Sequence, residues 1–475
     1  MRFPFVLSVM LTLSAPLSRA GVAELFFGDL EATRDANVGV LVVDVKKGEV
    51  VDAYGENRLL PPASTLKLLT TCTALELLGD QYRWETLLET DGALEDGVLK
   101  GNLYVRGTGD PTLASAKVGD VRVLEEWVER LCSMGLRRLE GGVVADLSMW
   151  DNDEAVNPGW LWKDMGNYYG AAVYPISYRD NTMKLYLESG AKGTVARLLE
   201  TDPALPELVL DSRVRCTDVS FDNAYVYGAP LDYNRFVAGE IPSNRGRFPV
   251  KADLPDPGLL LARRLTELLR EAGVEVAQAP SCKVDGFDPE AYGRRRTLYV
   301  HQSPPLSEVI RETNRNSNNL YAESIFRTLG MQKDAPATVV SSLSRIREFW
   351  QGKGIDLSRS ILEDGCGLAP QNGLAPSTLV SLLRYMYRSP HAGMFLYSLP
   401  VAGQSGTLRN FLSGSFLQNR VYAKSGTLDH LKSYAGYIFL PDDRVWAFSI
   451  VVHNAKGTRE EVQKAIERYL LSLSE

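Results

Sequence analysis

The chain has 475 residues, of which 45% are hydrophobic and 23% charged, and its formal net charge is -7 at pH 7. This length exceeds a single ordinary hydrophobic core, so two or three domains are expected. The negative charge argues against a general nucleic-acid-binding protein. The four histidines lack metal-ligand spacing and the sequence has no C-x-x-C pair, so neither a metal nor another cofactor is expected.

The first twenty residues have the pattern of a secretory signal peptide. Met1 and Arg2 form a short basic start, residues 3–13 are apolar, and small residues precede a cleavage position after Ala20. We therefore expect residues 1–20 to be removed on export, leaving a protein that acts in the periplasm or another wall-associated space. No later segment has about 18 consecutive apolar residues, so contact with membrane or wall is expected to be peripheral at most.

In chain order, the first predicted elements are a β-hairpin and a helix. Residues 38–45 and 50–54 are rich in β-branched side chains and flank a turn, as hairpin strands do. After two prolines, Ser64 begins an apolar helical run that continues to Leu78 and stops at Gly79.

The middle of the chain differs from both ends in its pattern of predicted secondary structure. Short strand-like runs follow residue 82, and residues 181–250 resemble a β-rich insertion. Helices are predicted over residues 121–131, 256–273, 306–314, 320–329, 376–387 and 460–473, and strands over 421–424, 435–440 and 445–452. If the first and last strands share one sheet, the middle of the chain is an insertion into a single domain.

The five cysteines are an odd number, so at least one thiol stays free or pairs between molecules. An oxidising compartment permits disulfides. Cys216 with Cys282 is one possible pair, which the sequence leaves open.

Ser64 and Lys67 lie three residues apart, so a helix places both side chains on one face. A hydroxyl beside an amine is a nucleophile beside a potential base. The alternative interpretation is a purely structural one, a capped helix with a surface lysine. The spacing alone is weak evidence, since Ser189 and Lys192 also have it by chance.

Two later motifs strengthen the catalytic interpretation. Ser317-Asn318-Asn319 is the only S-x-N in the chain, and Lys424-Ser425-Gly426 is the only K-[ST]-G. The order S-x-x-K, S-x-N, K-[ST]-G is typical of penicillin-binding proteins and related lactamases. Taken singly, Ser317 could be a helix cap and Lys424 a solvated strand end.

The chain resembles the class C low-molecular-mass penicillin-binding proteins, the D-alanyl-D-alanine carboxypeptidase/endopeptidase family. The matching stretches are residues 60–67, 103–111, 317–323, 363–368, 399–408 and 423–437. Residues 64 and 317 are 253 positions apart, which leaves room for the two inserted domains of this family.

The resemblance implies an α/β (α+β) transpeptidase domain of the penicillin-binding/serine β-lactamase type, with two nested β-rich inserted domains. The expected division is a catalytic domain of residues 21–83 and 300–475, an inserted domain II of 84–180 and 251–299, and an inserted domain III of 181–250. The implied ligands are peptidoglycan peptides and β-lactams, and the oligomeric state is not implied.

The family pattern also implies a role for each motif residue. Ser64 would attack the carbonyl of a D-Ala-D-Ala bond, Lys67 would be the base, and Ser317 would relay a proton to the leaving amine. Asn319, Lys424, Ser425 and Thr427 would bind substrate, and the backbone N–H groups of Ser64 and Thr427 would form the oxyanion hole. Burial and the charge of Lys424 are both expected to lower the pKa of Lys67.

Three positions depart from the commoner family pattern. Asn318 stands where many relatives have Asp, Ser425 where Thr is commoner, and Cys366 where Ser is frequent. We expect activity to survive these changes and Cys366 to line the site in a turn. The G-x-S-x-G nucleophile pattern is incomplete at Thr407, so residues 403–407 are expected to be a structural turn.

Two alternative functions remain open at this point. A β-lactamase would use the same fold, although the large insertion and the lack of an E-x-x-L-N loop argue against it. A non-catalytic wall-peptide or penicillin sensor is the other, and the intact Ser64, Lys67 and Ser317 argue against that.

Overall fold

The computed structural model describes residues 21–474. The predicted signal peptide lies outside the described residues. None of the helices in the described part of the chain is long and apolar enough to cross a membrane.

A five-stranded antiparallel sheet, here called the central sheet, joins the two ends of the chain. Its strand order is Val421–Leu428, Leu431–Phe439, Val445–His453, Asn37–Asp44 and Val50–Tyr54. Asn37–Asp44 pairs along its whole length with Val445–His453, from Asn37 opposite His453 to Asp44 opposite Trp446. The expectation that the first and last strands share one sheet is therefore confirmed.

The central sheet is covered on both faces, which explains why its inner strands are apolar almost throughout. Val40 and Val42 pack on one face with the C-terminal helix Arg459–Ser474, whereas Leu41 and Val43 pack on the other with the helix Lys67–Leu78. This alternation follows from the two-residue period of a strand.

The strand Val421–Leu428 is an edge of the central sheet, here called the edge strand, and the helix Lys67–Leu78 is here called the serine helix. The α-helices of the described chain are Val22–Asp29, Lys67–Leu78, Val123–Ser133, Pro257–Glu271, Pro289–Arg294, Leu306–Asn316, Asn319–Leu329, Val339–Gly352, Pro376–Met386, Ala392–Ser398 and Arg459–Ser474. Most predicted helices are present within a few residues of their predicted ends. The helix Val339–Gly352 was not predicted, although Thr338 caps it by accepting from the Ser341 amide.

Between the serine helix and residue 302 the chain forms four smaller sheets. The first has the order Ser281–Lys283, Val143–Asp146, Leu103–Arg106, Glu85–Thr90, Arg296–Gln302, and the second Glu275–Val276, Arg138–Leu139, Val98–Leu99, Leu94–Glu95. The two three-stranded sheets are Leu198–Asp202, Thr182–Ser189, Gly246–Asp253 and Val209–Thr217, Asn234–Pro242, Asn223–Tyr227. The domain boundaries stay a prediction; Gly246–Asp253 and Arg296–Gln302 run across two of them.

All five cysteines are free thiols. Cys216 is buried in the core of the three-stranded sheets, whereas Cys282 packs against Gly258 in a different core. The disulfide considered between these two residues is therefore absent, because the fold places them in separate cores.

A buried ion cluster stabilises the five-stranded inserted sheet. Arg295 Nη1 lies 2.7 Å from Asp146 and 3.5 Å from Glu89, and both acidic side chains are buried. We expect Arg295→Met to lower the free energy of unfolding by about 3 kcal/mol, because it leaves buried carboxylates short of a partner. Urea unfolding followed by tryptophan fluorescence measures the change.

Arg294→Met is the matched control, since the Arg294 side chain is 69% exposed. Its removal is expected to change the stability by less than about 0.5 kcal/mol. Equal effects of the two substitutions would contradict a stabilising role for the cluster.

Candidate active site

Ser64 lies in a short 3-10 helix, Ala63–Leu66, that leads directly into the serine helix. The preceding carbonyl of Pro62 accepts from the hydroxyls of Ser433 (2.6 Å) and Thr65 (2.7 Å). The bond from Ser433 ties the start of the 3-10 helix to the central sheet, and the bond from Thr65 closes the first turn of that helix. The Ser64 side chain is half-buried and therefore accessible from the surface.

Lys67 is fully buried and its ammonium nitrogen has three oxygen acceptors. Nζ lies 2.9 Å from Ser64 Oγ, 2.6 Å from Asn319 Oδ1 and 2.7 Å from the carbonyl oxygen of Cys366. The arrangement aims the amine at the serine hydroxyl and uses two neutral oxygens to hold it there.

The pKa of Lys67 is lowered from its ordinary value by burial, which disfavours the charged form. The acidic groups of Cys366, Asp364 and Glu323 act in the opposite direction and raise it to the extent that they are ionised. The lowered pKa agrees with the expectation from sequence, but the cause is burial alone.

Ser317 lies between the helices Leu306–Asn316 and Asn319–Leu329 in a left-handed conformation with φ 60°. Its hydroxyl accepts from Lys424 Nζ at 2.9 Å, and Lys424 also donates to the Ser425 carbonyl at 2.7 Å. Asn318, not Ser317, caps the following helix. The side chain of Ser317 is thus available for the site.

Lys424 is also fully buried, and its pKa is lowered well below the ordinary value by burial and then by the charge of Lys67. The repulsion expected between the two lysines therefore acts on Lys424. Two buried amines, each beside a serine hydroxyl, face one another across the site.

Asn319 connects Lys67 to the inserted part of the chain. Its carboxamide oxygen accepts from Lys67, and its nitrogen donates to the carbonyl of Tyr169 at 2.8 Å. A positioning role in the ground state is therefore visible for Asn319, in addition to the substrate contact expected from sequence.

The edge strand reaches the serine through Gly426. A Cβ at this position would lie 2.8 Å from the Pro62 carbonyl oxygen and 3.0 Å from Ala63 Cβ, so only glycine permits the close approach. The Ala423 amide donates outward to the Pro400 carbonyl, away from the central sheet. Since alternate residues of a strand face the same side, the amide of Thr427 points to that open side too.

The Ser64 amide lies in the first turn of its helix, where N–H groups have no intrahelical acceptor. The geometry therefore fits an oxyanion hole between the amides of Ser64 and Thr427.

The loop of residues 363–372, here called the Asp364 loop, was recognised in the sequence only as a turn. The buried Asp364 carboxylate accepts from the amides of Gly367, Leu368 and Ala369 and from the side chains of Asn372 and Trp160, all within 3.0 Å. This carboxylate fixes the loop whose Cys366 carbonyl holds Lys67. The thiol of Cys366 is buried with a raised pKa, so it is not a nucleophile.

Glu323, Asp364 and Cys366 form a buried cluster in which one donor atom of each lies within 4.8 Å of the others. Both oxygens of Asp364 are already occupied by N–H donors. The cluster is therefore a poor fit to a metal ion.

Two further residues near the site were not predicted. Thr407 Oγ1 accepts from the Ser425 hydroxyl at 2.7 Å, so the turn of residues 403–407 borders the site. Tyr169 contributes its carbonyl to Asn319 from a segment with no recognisable motif. Only the Thr407 contact had a sequence signal, the Gly-rich turn itself.

Comparison with known proteins decides the family. A model of the D-Ala-D-Ala carboxypeptidase 3 (S13) family matches residues 23–473. The chain belongs to this family. The resemblance drawn from the motifs is thereby confirmed, and the protein is a serine hydrolase of the D-Ala-D-Ala carboxypeptidase type.

Two relatives align with this S13 chain over about four fifths or more of their lengths. The D-alanyl-D-alanine carboxypeptidase of Actinomadura sp. (strain R39) is 28% identical over 440 residues, which is 90% of this chain and 79% of the relative. D-alanyl-D-alanine carboxypeptidase DacB of Haemophilus influenzae is 26% identical over 435 residues, covering 90% of this chain and 88% of that protein.

The crystal structure of penicillin binding protein 4 (dacB) from Haemophilus influenzae superposes with a TM-score of 0.79 at 22% identity, covering 94% of this chain and 98% of that one. This likeness confirms the predicted penicillin-binding fold.

Gly367 is expected to be essential for the position of Ser64. Its φ is +81°, and a Cβ there would lie 1.9 Å from the Ala63 carbonyl oxygen, directly before the serine. We expect Gly367→Ala to slow labelling by fluorescent penicillin roughly 100-fold, because the serine shifts from its attacking position.

Gly414→Ala is the matched control. Gly414 also has a positive φ, +75°, but its Cβ would have no neighbour within 4 Å. It should cost only about 1 kcal/mol of stability from backbone strain, with labelling unchanged. Equal labelling rates in both variants would show that the contact between Gly367 and Ala63 is unimportant.

Proposed function

We propose that this protein cleaves D-Ala-D-Ala and D,D-cross-link bonds of peptidoglycan stem peptides through an acyl-enzyme at Ser64. The observation that carries the proposal is the buried Lys67 amine, 2.9 Å from the Ser64 hydroxyl. A serine is a weak nucleophile until a base takes its proton, and a lysine is a base only when neutral. The lowered pKa of Lys67 supports that neutral form.

The acylation step follows from this contact. Ser64 Oγ attacks the carbonyl carbon of the penultimate D-Ala while its proton passes to Lys67 Nζ. The carbonyl oxygen becomes an oxyanion facing the amides of Ser64 and Thr427, each worth roughly 3 kcal/mol at the transition state. The tetrahedral intermediate then expels the amine of the leaving residue.

The leaving amine needs a proton, and Ser317 is placed to deliver it. Its hydroxyl accepts from Lys424, so it is oriented by a buried amine of its own. When Ser317 gives its proton to the leaving nitrogen, Lys424 replaces it. Acylation leaves Lys67 protonated and Lys424 neutral. Water then bonds to the acyl carbon and gives a proton through Ser317 to Lys424, while Ser64 Oγ leaves and takes back the proton held by Lys67. The acid product departs and the starting protonation states are restored.

Lys424, Ser425 and Thr427 lie on the edge strand, beside the position of the leaving residue. We infer that they bind its terminal carboxylate, while Asn319 binds the peptide backbone of the donor. A cationic lysine and adjacent hydroxyls are a suitable set for a carboxylate.

A β-lactam acylates the same serine because its strained amide replaces the D-Ala-D-Ala bond. A structure of the Haemophilus influenzae penicillin binding protein 4 is complexed with a β-lactam. We infer that β-lactams and peptidoglycan peptides are ligands of this protein. We also infer that it acts outside the cytoplasm, in the periplasm, after residues 1–20 are removed, in keeping with the sequence pattern.

The decisive experiment compares wild type with Ser64→Ala on linear and cross-linked muropeptides. We expect release of D-Ala or cleavage of cross-links by wild type, and complete loss in the variant, since no nucleophile remains. Cys366→Ala serves as the control for the other candidate nucleophile and should remain active. Activity of Ser64→Ala equal to wild type would overturn the assignment, and rapid turnover of penicillin would favour a β-lactamase.

The pH dependence of acylation tests the role of Lys67. The acylation rate should rise with pH as the Lys67 ammonium loses its proton, with a midpoint below the ordinary lysine value of 10.5. The rate constant for penicillin labelling, measured across a pH series, reports this midpoint. A rate independent of pH up to that value would contradict the use of a neutral Lys67.

A further inference from the structure

Glu323 is a buried carboxylic acid next to the catalytic lysine for which the motifs give no role. It follows Asn319 by four residues on one helix, so both side chains share a face. Its Oε1 accepts from the Gly365 amide at 2.8 Å, and only 4% of the residue is exposed. Lys67 donates to the carbonyl of the next loop residue, Cys366. The acid and the amine therefore hold two peptide units of one loop that are separated by a single unit.

The two neighbouring carboxyl groups, Asp364 and Glu323, have very different numbers of hydrogen-bond donors. Asp364 accepts from five N–H donors, which stabilise it as an anion. Glu323 accepts from a single backbone amide, at Gly365. Two buried carboxyl groups this close do not both ionise at low cost, so the group with fewer donors retains its proton. In agreement, burial and then the charge of Asp364 raise the pKa of Glu323 to about 8.

The remaining charged or titratable groups around Glu323 do not remove this proton. Lys67 on the serine helix lowers the pKa of Glu323, as does the hydrogen bond with the Cys366 thiol, but both effects are smaller than burial. Arg327, one turn further on the same helix, pairs with Glu154 at 3.4 Å and donates to three backbone carbonyls. The Arg327 guanidinium therefore has hydrogen-bond and charge partners other than Glu323.

We propose that Glu323 is a positioning residue that holds a proton in the resting site, and that this proton leaves Lys67 able to act as the base. An ionised Glu323 would stabilise the ammonium form of Lys67 and remove the base. The protonated acid keeps the contact to Gly365 without adding a negative charge. The inference rests on the proposed function, in which Lys67 accepts the proton of Ser64.

The coupled loss of protons from Glu323 and Lys67 has an observable consequence. When both groups are protonated, the first proton lost with rising pH comes from Glu323 or from Lys67. Loss from Lys67 gives the active amine, whereas loss from Glu323 gives an inactive ammonium–carboxylate pair. Glu323→Gln removes the second route, because a carboxamide has no acidic proton. The amine of Lys67 then appears at lower pH than in wild type.

The experiment measures the rate constant of penicillin labelling against pH for wild type and Glu323→Gln. Gln retains an acceptor for the Gly365 amide and a donor where the protonated acid has one. We expect the midpoint of the rise to move down by about one pH unit in the variant, because the carboxamide cannot ionise near pH 8 and hold Lys67 in its ammonium form. A midpoint that is unchanged or moved upward would overturn the proposal, since a purely structural residue would not lower it.

Glu363→Gln is the matched control. Glu363 belongs to the same loop but is half-buried, and neither of its side-chain oxygens takes part in a hydrogen bond to the described residues. Its replacement is the same carboxyl-to-carboxamide change and should leave the midpoint where it is. An equal shift in Glu363→Gln would assign the effect to net charge and overturn the specific role of Glu323.

A second measurement does not depend on activity. The infrared difference between wild type and Glu323→Gln at pH 7 should contain the carbonyl stretch of a protonated carboxylic acid, and this band should vanish as the pH passes about 8. A carboxylate band in its place at pH 7 would overturn the proposal.

The two proposals fail in different ways. If Ser64→Ala remained active on muropeptides, the proposed function would fail. If wild-type labelling required Ser64 but its midpoint did not respond to Glu323→Gln, only the inference about Glu323 would fail.

Discussion

The site depends on one buried nitrogen, the side-chain amine of Lys67. Burial makes its charged form costly, while three oxygens around it keep it directed at Ser64. Each of these oxygens comes from a different part of the chain: the 3-10 helix, the helix that begins at Asn319, and the Asp364 loop. The precise packing of these elements is therefore a chemical requirement, because a displaced acceptor would change both the position and the protonation of the base.

Two sets of hydrogen bonds fix the elements around Lys67, one within the Asp364 loop and one between Pro62 and the central sheet. Asp364 fixes its loop through amides and an indole, and the loop offers the Cys366 carbonyl to the lysine. The Ser433 hydroxyl donates to the Pro62 carbonyl and so ties the start of the 3-10 helix that carries Ser64 to the central sheet. The carbonyl oxygens of Asn319 and Cys366 contact the Lys67 amine directly, whereas the carboxyl groups of Asp364 and Glu323 form no hydrogen bond with it. This arrangement keeps the lysine aligned without holding it permanently charged.

The sequence alone predicted the fold class and the family, because these depend on local patterns and on motif order. Ser64, Lys67 and Asn319 meet as expected, as do Ser317, Lys424 and Ser425. The contacts of Tyr169 and Glu323 were not predictable, since each arises from packing between distant segments or from a carbonyl that any residue carries. The neutral surroundings of Lys67 likewise follow from burial, which a spacing pattern does not report.

The pairing of the first strand with the last has a consequence for biosynthesis. Ser64 and Lys67 are synthesised early, but the sheet to which they are tied requires the strand Val445–His453 to lie beside Asn37–Asp44. Contacts between such distant segments form late, after a large loss of chain entropy. A nascent or truncated chain thus carries the reactive residues without a working site. Hydrolytic activity is therefore expected only after both ends of the chain have been synthesised and paired.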